Sequence, residues 1–181
     1  MQKKSIYKYA SEAGLPAGLY LTIMSFCVLL SVKLPALPLL LFPLMLGFPV
    51  MLWILIRKIS REEPSFTKFS TLWLGGIYTV IFGSLICTFL SALYVVFFEP
   101  NFVNLYVANA IAAVENSAMG SEYSSSIDLM QSAMEAKILP SPLEFLTSMA
   151  WFTCFVGSLL SLVIALIMSK AGKNVTRGYS A

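Results

Sequence analysis

Apolar residues gather into four long uncharged runs separated by polar segments, and this spacing predicts four membrane-spanning helices. The first run, residues 14–32, has 19 residues and at ~1.5 Å per helical residue reaches ~28 Å, close to the ~30 Å hydrocarbon core of a bilayer. Lys3, Lys4 and Lys8 precede it as in a secretory leader. The run exceeds a leader's core and no small-x-small cleavage site follows, so a retained helix is expected. The link at 33–37 is short, and the second run, 38–56, ends at Arg57-Lys58, which predicts an antiparallel pair. Pro43 and Pro49 lie inside the second run, where each removes a backbone donor and frees a carbonyl; a structural kink is expected near Pro49.

A polar loop from Arg57 to Lys68 leads to the third run, 72–98, 27 residues without a charge. As a helix it is ~40 Å long, about 10 Å more than the hydrocarbon core, so it must tilt or project. Glu99-Pro100 ends it. The fourth run, 145–168, stops before Lys170 and a short tail with Lys173 and Arg177; the sequon Asn174-Val175-Thr176 in that tail carries no meaning on the cytoplasmic side.

The segment between the third and fourth runs, residues 100–142, is too long for a plain connection. Asn101, Asn104, Asn109, Glu115 and Asn116 share one arc of a helical wheel, opposite Phe102, Val103, Tyr106, Val107, Ala110 and Val114. That pattern predicts an amphipathic helix broken at Gly120-Ser121. A second helix is expected from Ser124 or Ser125 to about Leu139, before Pro140 and Pro142, with Ile127, Met130, Met134 and Ile138 on one face and Asp128, Ser132 and Glu135 on the other. The two would form a hairpin capping the projecting ends of the third and fourth spans, through Phe102, Tyr106, Ala110, Ile127, Met130 and Met134. Phe102, Tyr106, Met130 and Met134 are also the candidate face for an outer partner. The fold class expected is thus an all-α integral membrane protein: four transmembrane helices and an extracytoplasmic amphipathic helical hairpin, in a single domain spanning 1–181.

Composition agrees with this layout. Of 181 residues, 58% are hydrophobic and 12% charged, with mean hydropathy +0.81, more apolar surface than a water-soluble domain of this size can bury. Charge then supplies the orientation. Lys3, Lys4, Lys8, Arg57, Lys58, Arg61, Lys68, Lys170, Lys173 and Arg177 fall on one side. The other side holds Lys33 and Lys137 against Glu99, Glu115, Glu122, Asp128, Glu135 and Glu144. Basic residues near span ends stay in the cytoplasm, so both termini are expected there and the hairpin outside, as in a multi-pass protein of the bacterial inner membrane. The net charge of +3 forms no basic stripe, and no nucleic-acid partner is expected.

Catalytic chemistry finds little footing. The chain has no histidine, so a serine-type triad has no general base; Gly75-Gly76 lies within a span and not at a phosphate-binding turn, and Gly157-Ser158 lacks a nucleophile elbow. Cys27, Cys87 and Cys154 each sit in an apolar run without Cys-x-x-Cys spacing and are expected to be free, buried thiols. No ionisable side chain lies deep in a run, which is where proton relays and ion paths are marked; Glu99 and Glu144 flank the spans as solvated carboxylates. No catalytic residue, metal or cofactor is expected.

Small residues at four-residue spacing let membrane helices approach closely. Gly75, Thr79, Gly83, Cys87 and Ser91 line up so in the third span; Ala150, Cys154 and Ser158, beside Gly157, Ser161 and Ala165, do so in the fourth. These stripes are expected to face each other, with a homodimer seam as the alternative.

Arg57-Lys58 through Ser65-Phe66-Thr67 into the glycine-bearing third span, then Phe97-Phe98-Glu99-Pro100-Asn101-Phe102 and the methionine-containing outer helices, resemble the bacterial family catalogued as domain of unknown function 4199. The resemblance covers most of the chain. Phe69-Ser70-Thr71 stands where the family often has a Gly-Lys-Ala-like element. What the resemblance implies is a partner: such genes often neighbour a membrane glycosyltransferase that uses a polyprenyl-phosphate sugar. The absence of charge within the spans favours a non-catalytic accessory or scaffold subunit of an envelope complex as the expected function, its partners the bilayer and a membrane protein or further copies of itself. The alternative is a small oligomeric transporter or channel, whose cue would be Ser, Thr and Asn side chains lining a cavity.

Overall fold

In a computed structural model, residues 6–34, 36–62, 68–115, 124–136 and 139–178 are described, with side chains described to Lys170. Lys3, Lys4, Pro35, Ser65-Phe66-Thr67, Asn116, Gly120-Ser121, Glu122, Lys137 and Ile138 lie outside them, as do the side chains of Glu135, Lys173 and Arg177. The elements are all helical: α1 (Ile6–Ser31), α2 (Leu37–Glu62), α3 (Phe69–Phe98), α4 (Phe102–Glu115), α5 (Ser124–Glu135) and α6 (Pro142–Gly178). Four of them, α1, α2, α3 and α6, are long and apolar enough to cross a membrane.

The helices overrun the apolar runs. α1 begins at Ile6 and contains Pro16, and α6 continues past the fourth run to Gly178. Backbone hydrogen bonding continues through a few polar residues beyond each run, so helix length exceeds apolar length. The start of α6 is sharply made. The Ser141 N–H donates to Glu144 Oε2 at 2.8 Å and the Glu144 N–H to Ser141 Oγ at 3.3 Å, a reciprocal capping box with Pro142 at the first helical position. The Glu144 carboxylate is thus a cap rather than a freely solvated group.

Packing centres on α3. Its partners on α1 follow it at a nearly constant offset: Gly14 meets Phe82, Gly18 meets Ile86, Ser25 bonds Ser91 at 2.8 Å, and the Phe26 and Tyr94 rings stand 5.1 Å apart. A constant difference in residue number means parallel helices. Against α6 it is the sum that stays constant, with Gly76 opposite Ser161, Val80 opposite Gly157 and Ser84 bonded to Cys154 at 3.0 Å, so these two run antiparallel. α1, α3 and α6 form a close-packed slab, and α2 lies across it.

At the end where α1 and α3 begin, α2 packs tightly: Phe48, Leu52 and Ile56 join Leu72, Val80, Ile164 and Ala165 in one buried cluster. At the opposite end, α4 folds over the bundle. Phe102, 1% exposed, and Val103 are buried with Leu29, Val95 and Leu146. Rings of Phe102 and Tyr106 meet Phe145 at 6.0 and 6.2 Å. α5 packs on α4, tied by a 3.1 Å bond from Gln131 Nε2 to Glu115 Oε1.

Candidate functional site

The small-residue stripe of α3 does not face the stripe of α6. A Cβ added at Gly83 would lie 3.1 Å from the Ala17 Cβ and 3.1 Å from the Gly18 N, both on α1. Gly75 neighbours Ile6, the Thr79 carbonyl lies beside Gly14, and Ser91 bonds Ser25. What α3 offers α6 is the adjoining row, Gly76, Val80 and Ser84, one residue further around the helix, which receives Ser161, Gly157 and Cys154. The expected α3–α6 seam is therefore two seams. A helix turns about 100° per residue, so adjacent rows of small residues serve two different neighbours.

The half of the seam contributed by α1 was missed in the sequence. Ala10, Gly14, Gly18 and Thr22 recur every four residues, all buried, and that periodicity was available as a signal. Hydroxyls at these positions need no partner across the seam. Thr22 donates to the Gly18 carbonyl at 2.7 Å, Thr79 to Gly75 at 2.8 Å and Ser161 to Gly157 at 2.7 Å, each one turn back in its own helix.

Towards the α4 end, Leu41 and Met45 of α2 border a cavity. Pro49 lacks the N–H that would bond the Met45 carbonyl, and its ring crowds the preceding turn. There the Tyr20 hydroxyl donates to the Leu44 carbonyl at 2.6 Å. Gly47 makes this possible, because a Cβ at that position would come within 2.4 Å of the Tyr20 oxygen. Beyond this strut, between α1, α2, α3 and α6, lies this cavity, of about 320 Å³. Its wall is apolar on α1, α2 and α6, with Leu21, Val28, Leu41, Met45, Leu146 and Met149. A strip of Ser25, Ser84, Cys87, Thr88, Ser91 and Thr153 crosses it. Ala150 and Cys87 line the cavity, while Cys154 turns to Ser84 and Ser158 is half-buried.

The polar strip is largely satisfied within the protein: Ser25 with Ser91, Ser84 with Cys154, and Thr153 with the Met149 carbonyl at 2.8 Å. The cavity stops at the Leu52, Ile56, Val80 and Ile164 cluster. Among the described residues no group of three His, Cys, Asp or Glu side chains converges on a metal position. The three cysteines are free thiols, Cys27 buried and the other two half-buried.

At the α4 end of the bundle stands an ion pair. One helical turn above Leu29, the Lys33 ammonium pairs with the Glu99 carboxylate. That hydrogen bond holds the lysine above its ordinary pKa. Nearby, Asn109 Nδ2 donates to the Val32 carbonyl at 3.2 Å, closing the end of α1. Of the four residues expected to form an outer partner face, Phe102 is turned inward and unavailable, since its ring is what fills the end of the bundle. Tyr106 is partly exposed beside Phe145 and lines the cavity, Met130 is half exposed, and Met134 borders a shallow hollow with Pro100, Asn104 and Leu139.

The model of the family described as protein of unknown function (DUF4199) matches residues 12–170. The chain belongs to that family. The match begins within α1, just ahead of the Gly14–Gly18 seam, and ends within α6 at Lys170, so in this DUF4199 member it takes in all of α2 to α5 and most of α1 and α6. No curated protein and no solved structure matches the chain.

Proposed function

We propose that this multi-pass membrane protein is a non-catalytic accessory or scaffold subunit that holds another membrane protein against α6. The observation that carries this reading is the outward face of α6, where Trp151, Phe152 and Phe155 are 74%, 66% and 65% exposed. Trp151 stands nine residues inside the helix start at Pro142, ~13 Å along the helix, and within the apolar run that begins at residue 145. Tryptophan usually anchors at the membrane interface, where its N–H meets water or headgroups. Hydrocarbon offers no acceptor at that depth, whereas a partner helix can. The α1–α3–α6 slab behind this face is interlocked, which suits a rigid platform. Membrane helices associate through van der Waals packing and interhelical hydrogen bonds, and this face presents both.

In this reading both termini are cytoplasmic, the α4–α5 segment lies outside in a bacterial inner-membrane setting, and the partner belongs to an envelope complex, a polyprenyl-phosphate-linked glycosyltransferase being the first one to test. The hydroxyl strip of the cavity favours the alternative, an oligomeric transporter or channel, but the apolar cluster below it would have to open. The test is site-specific photo-crosslinking from position 155 in native membranes, with position 42 on α2 as control, followed by purification in mild detergent. A stoichiometric partner linked from 155 and absent from 42 supports the scaffold. Exclusively lipid adducts from 155, together with a partner-free particle, overturn it.

A further inference from the structure

We infer that the cavity between α1, α2, α3 and α6 is a lipid site. It takes one acyl chain of a phospholipid whose headgroup is zwitterionic and bears an ammonium group. Several observations point the same way. At about 320 Å³ the cavity lies within the range of small-ligand pockets, with room for roughly ten groups the size of a water or methylene at ~30 Å³ each. Its apolar wall and internally paired hydroxyls give a water few of the two to four partners that hold it in place. A hydrocarbon chain asks for none.

The Lys33–Glu99 pair, beyond the cavity's Leu29 end, selects the other end of the ligand. Lys33 is placed one turn above Leu29, and Tyr106, on the cavity wall, is one turn before Asn109. The Lys33 ammonium has three donors. One engages Glu99, and with its side chain 59% exposed the others can reach a phosphate. Lys33 is the one described cation at this end, paired with the Glu99 carboxylate, while Glu115, Asp128 and Glu144 belong to the α4–α6 segments of the same end. A purely anionic headgroup would be attracted at Lys33 and repelled around it. A headgroup carrying phosphate and ammonium together complements both signs, with the ammonium toward the carboxylates.

This inference does not depend on the scaffold reading, because the cavity and the outward face of α6 are different surfaces. The test uses the full chain in phosphatidylcholine vesicles containing a few per cent of phosphatidylethanolamine with a diazirine on one acyl chain. Photolysis is followed by mass-spectrometric mapping. Adducts are expected on Met24, Met45, Met149 and Thr153 above the level on outward residues such as Leu39 and Phe155. They should be lost in Ala150→Phe, which fills the cavity, and in Met45→Trp, which blocks its rim. Lys33→Gln should abolish the preference over a diacylglycerol carrying the same diazirine chain, and phosphatidylglycerol should label less than phosphatidylethanolamine. Even labelling of cavity and outer face, or labelling that survives both filling variants, overturns the site. Equal labelling by the two phospholipids overturns the headgroup assignment. Protection of Met45 and Met149 that grows with protein-to-lipid ratio would instead identify a second copy as occupant.

Discussion

Gly14→Ala is expected to destabilise the protein while Gly75→Ala does not, although both glycines belong to small-residue rows. At Gly14 the new Cβ would lie 2.5 Å from the Cβ of Phe82, against 3.4 Å for the shortest ordinary contact. The obstructing atom is bonded to the α3 backbone, so no change of rotamer moves it. The helices must part locally by about 1 Å, and overpacking of that kind costs about 1–3 kcal/mol. At Gly75 the nearest atom is Ile6 Cδ1 at 3.7 Å, an ordinary contact with the end of a flexible side chain. Both variants gain the same ~1 kcal/mol of helix propensity, so the difference between them isolates the seam. For a chain of this size each kcal/mol corresponds to roughly 2–4 °C in Tm. Thermal melts of the two variants in one detergent should therefore separate by several degrees, Gly14→Ala the lower. If Gly14→Ala melts with or above Gly75→Ala, the close α1–α3 approach is wrong.

The Tyr20 strut gives a coupled pair. Tyr20→Phe removes the donor to the Leu44 carbonyl and Gly47→Ala displaces the ring, so each should cost about 1 kcal/mol and the double variant little more than either; melts that add would show that the two do not act through one bond. Phe102→Ala empties the end of the bundle and should cost about 3–5 kcal/mol, with amide exchange accelerating first in α4; protection unchanged in α4 would mean that Phe102 does not hold the cap. Single cysteines placed by Ser60→Cys, Ser125→Cys and Ser180→Cys in a chain lacking Cys27, Cys87 and Cys154 read out orientation: only position 125 should react with an impermeant thiol reagent from outside, and reaction at 60 would reverse the topology.

The number of the spanning helices was legible in the sequence, because an apolar run is a local property; their length was not, since the helices overrun the runs at their polar ends. The amphipathic face of α4 was legible only at its start, with Phe102 and Val103 buried and Asn104 outside; further on Ile111 is buried, whereas Tyr106 and Ala110, expected on the covered face, are exposed. The capping box at Ser141, Pro142 and Glu144 is written in four consecutive residues but went unread, Glu144 having been expected as a solvated carboxylate. Which helix meets which was not legible. Small residues announce that a close approach will occur, but α3 has them on two adjacent rows, and the identity of each neighbour depends on a register set by all the others. The structure assigned the Gly75–Thr79–Gly83 row to α1, and its neighbouring row to α6. The cavity is further still from the sequence. It lies beside the Tyr20–Leu44 contact that ties α2 to α1, and its wall draws residues from α1, α2, α3, α4 and α6. Periodicity along one chain segment determines an element and its faces. Only the tertiary arrangement decides what those faces enclose, because an enclosed volume is a property of distances between segments that the local pattern leaves free.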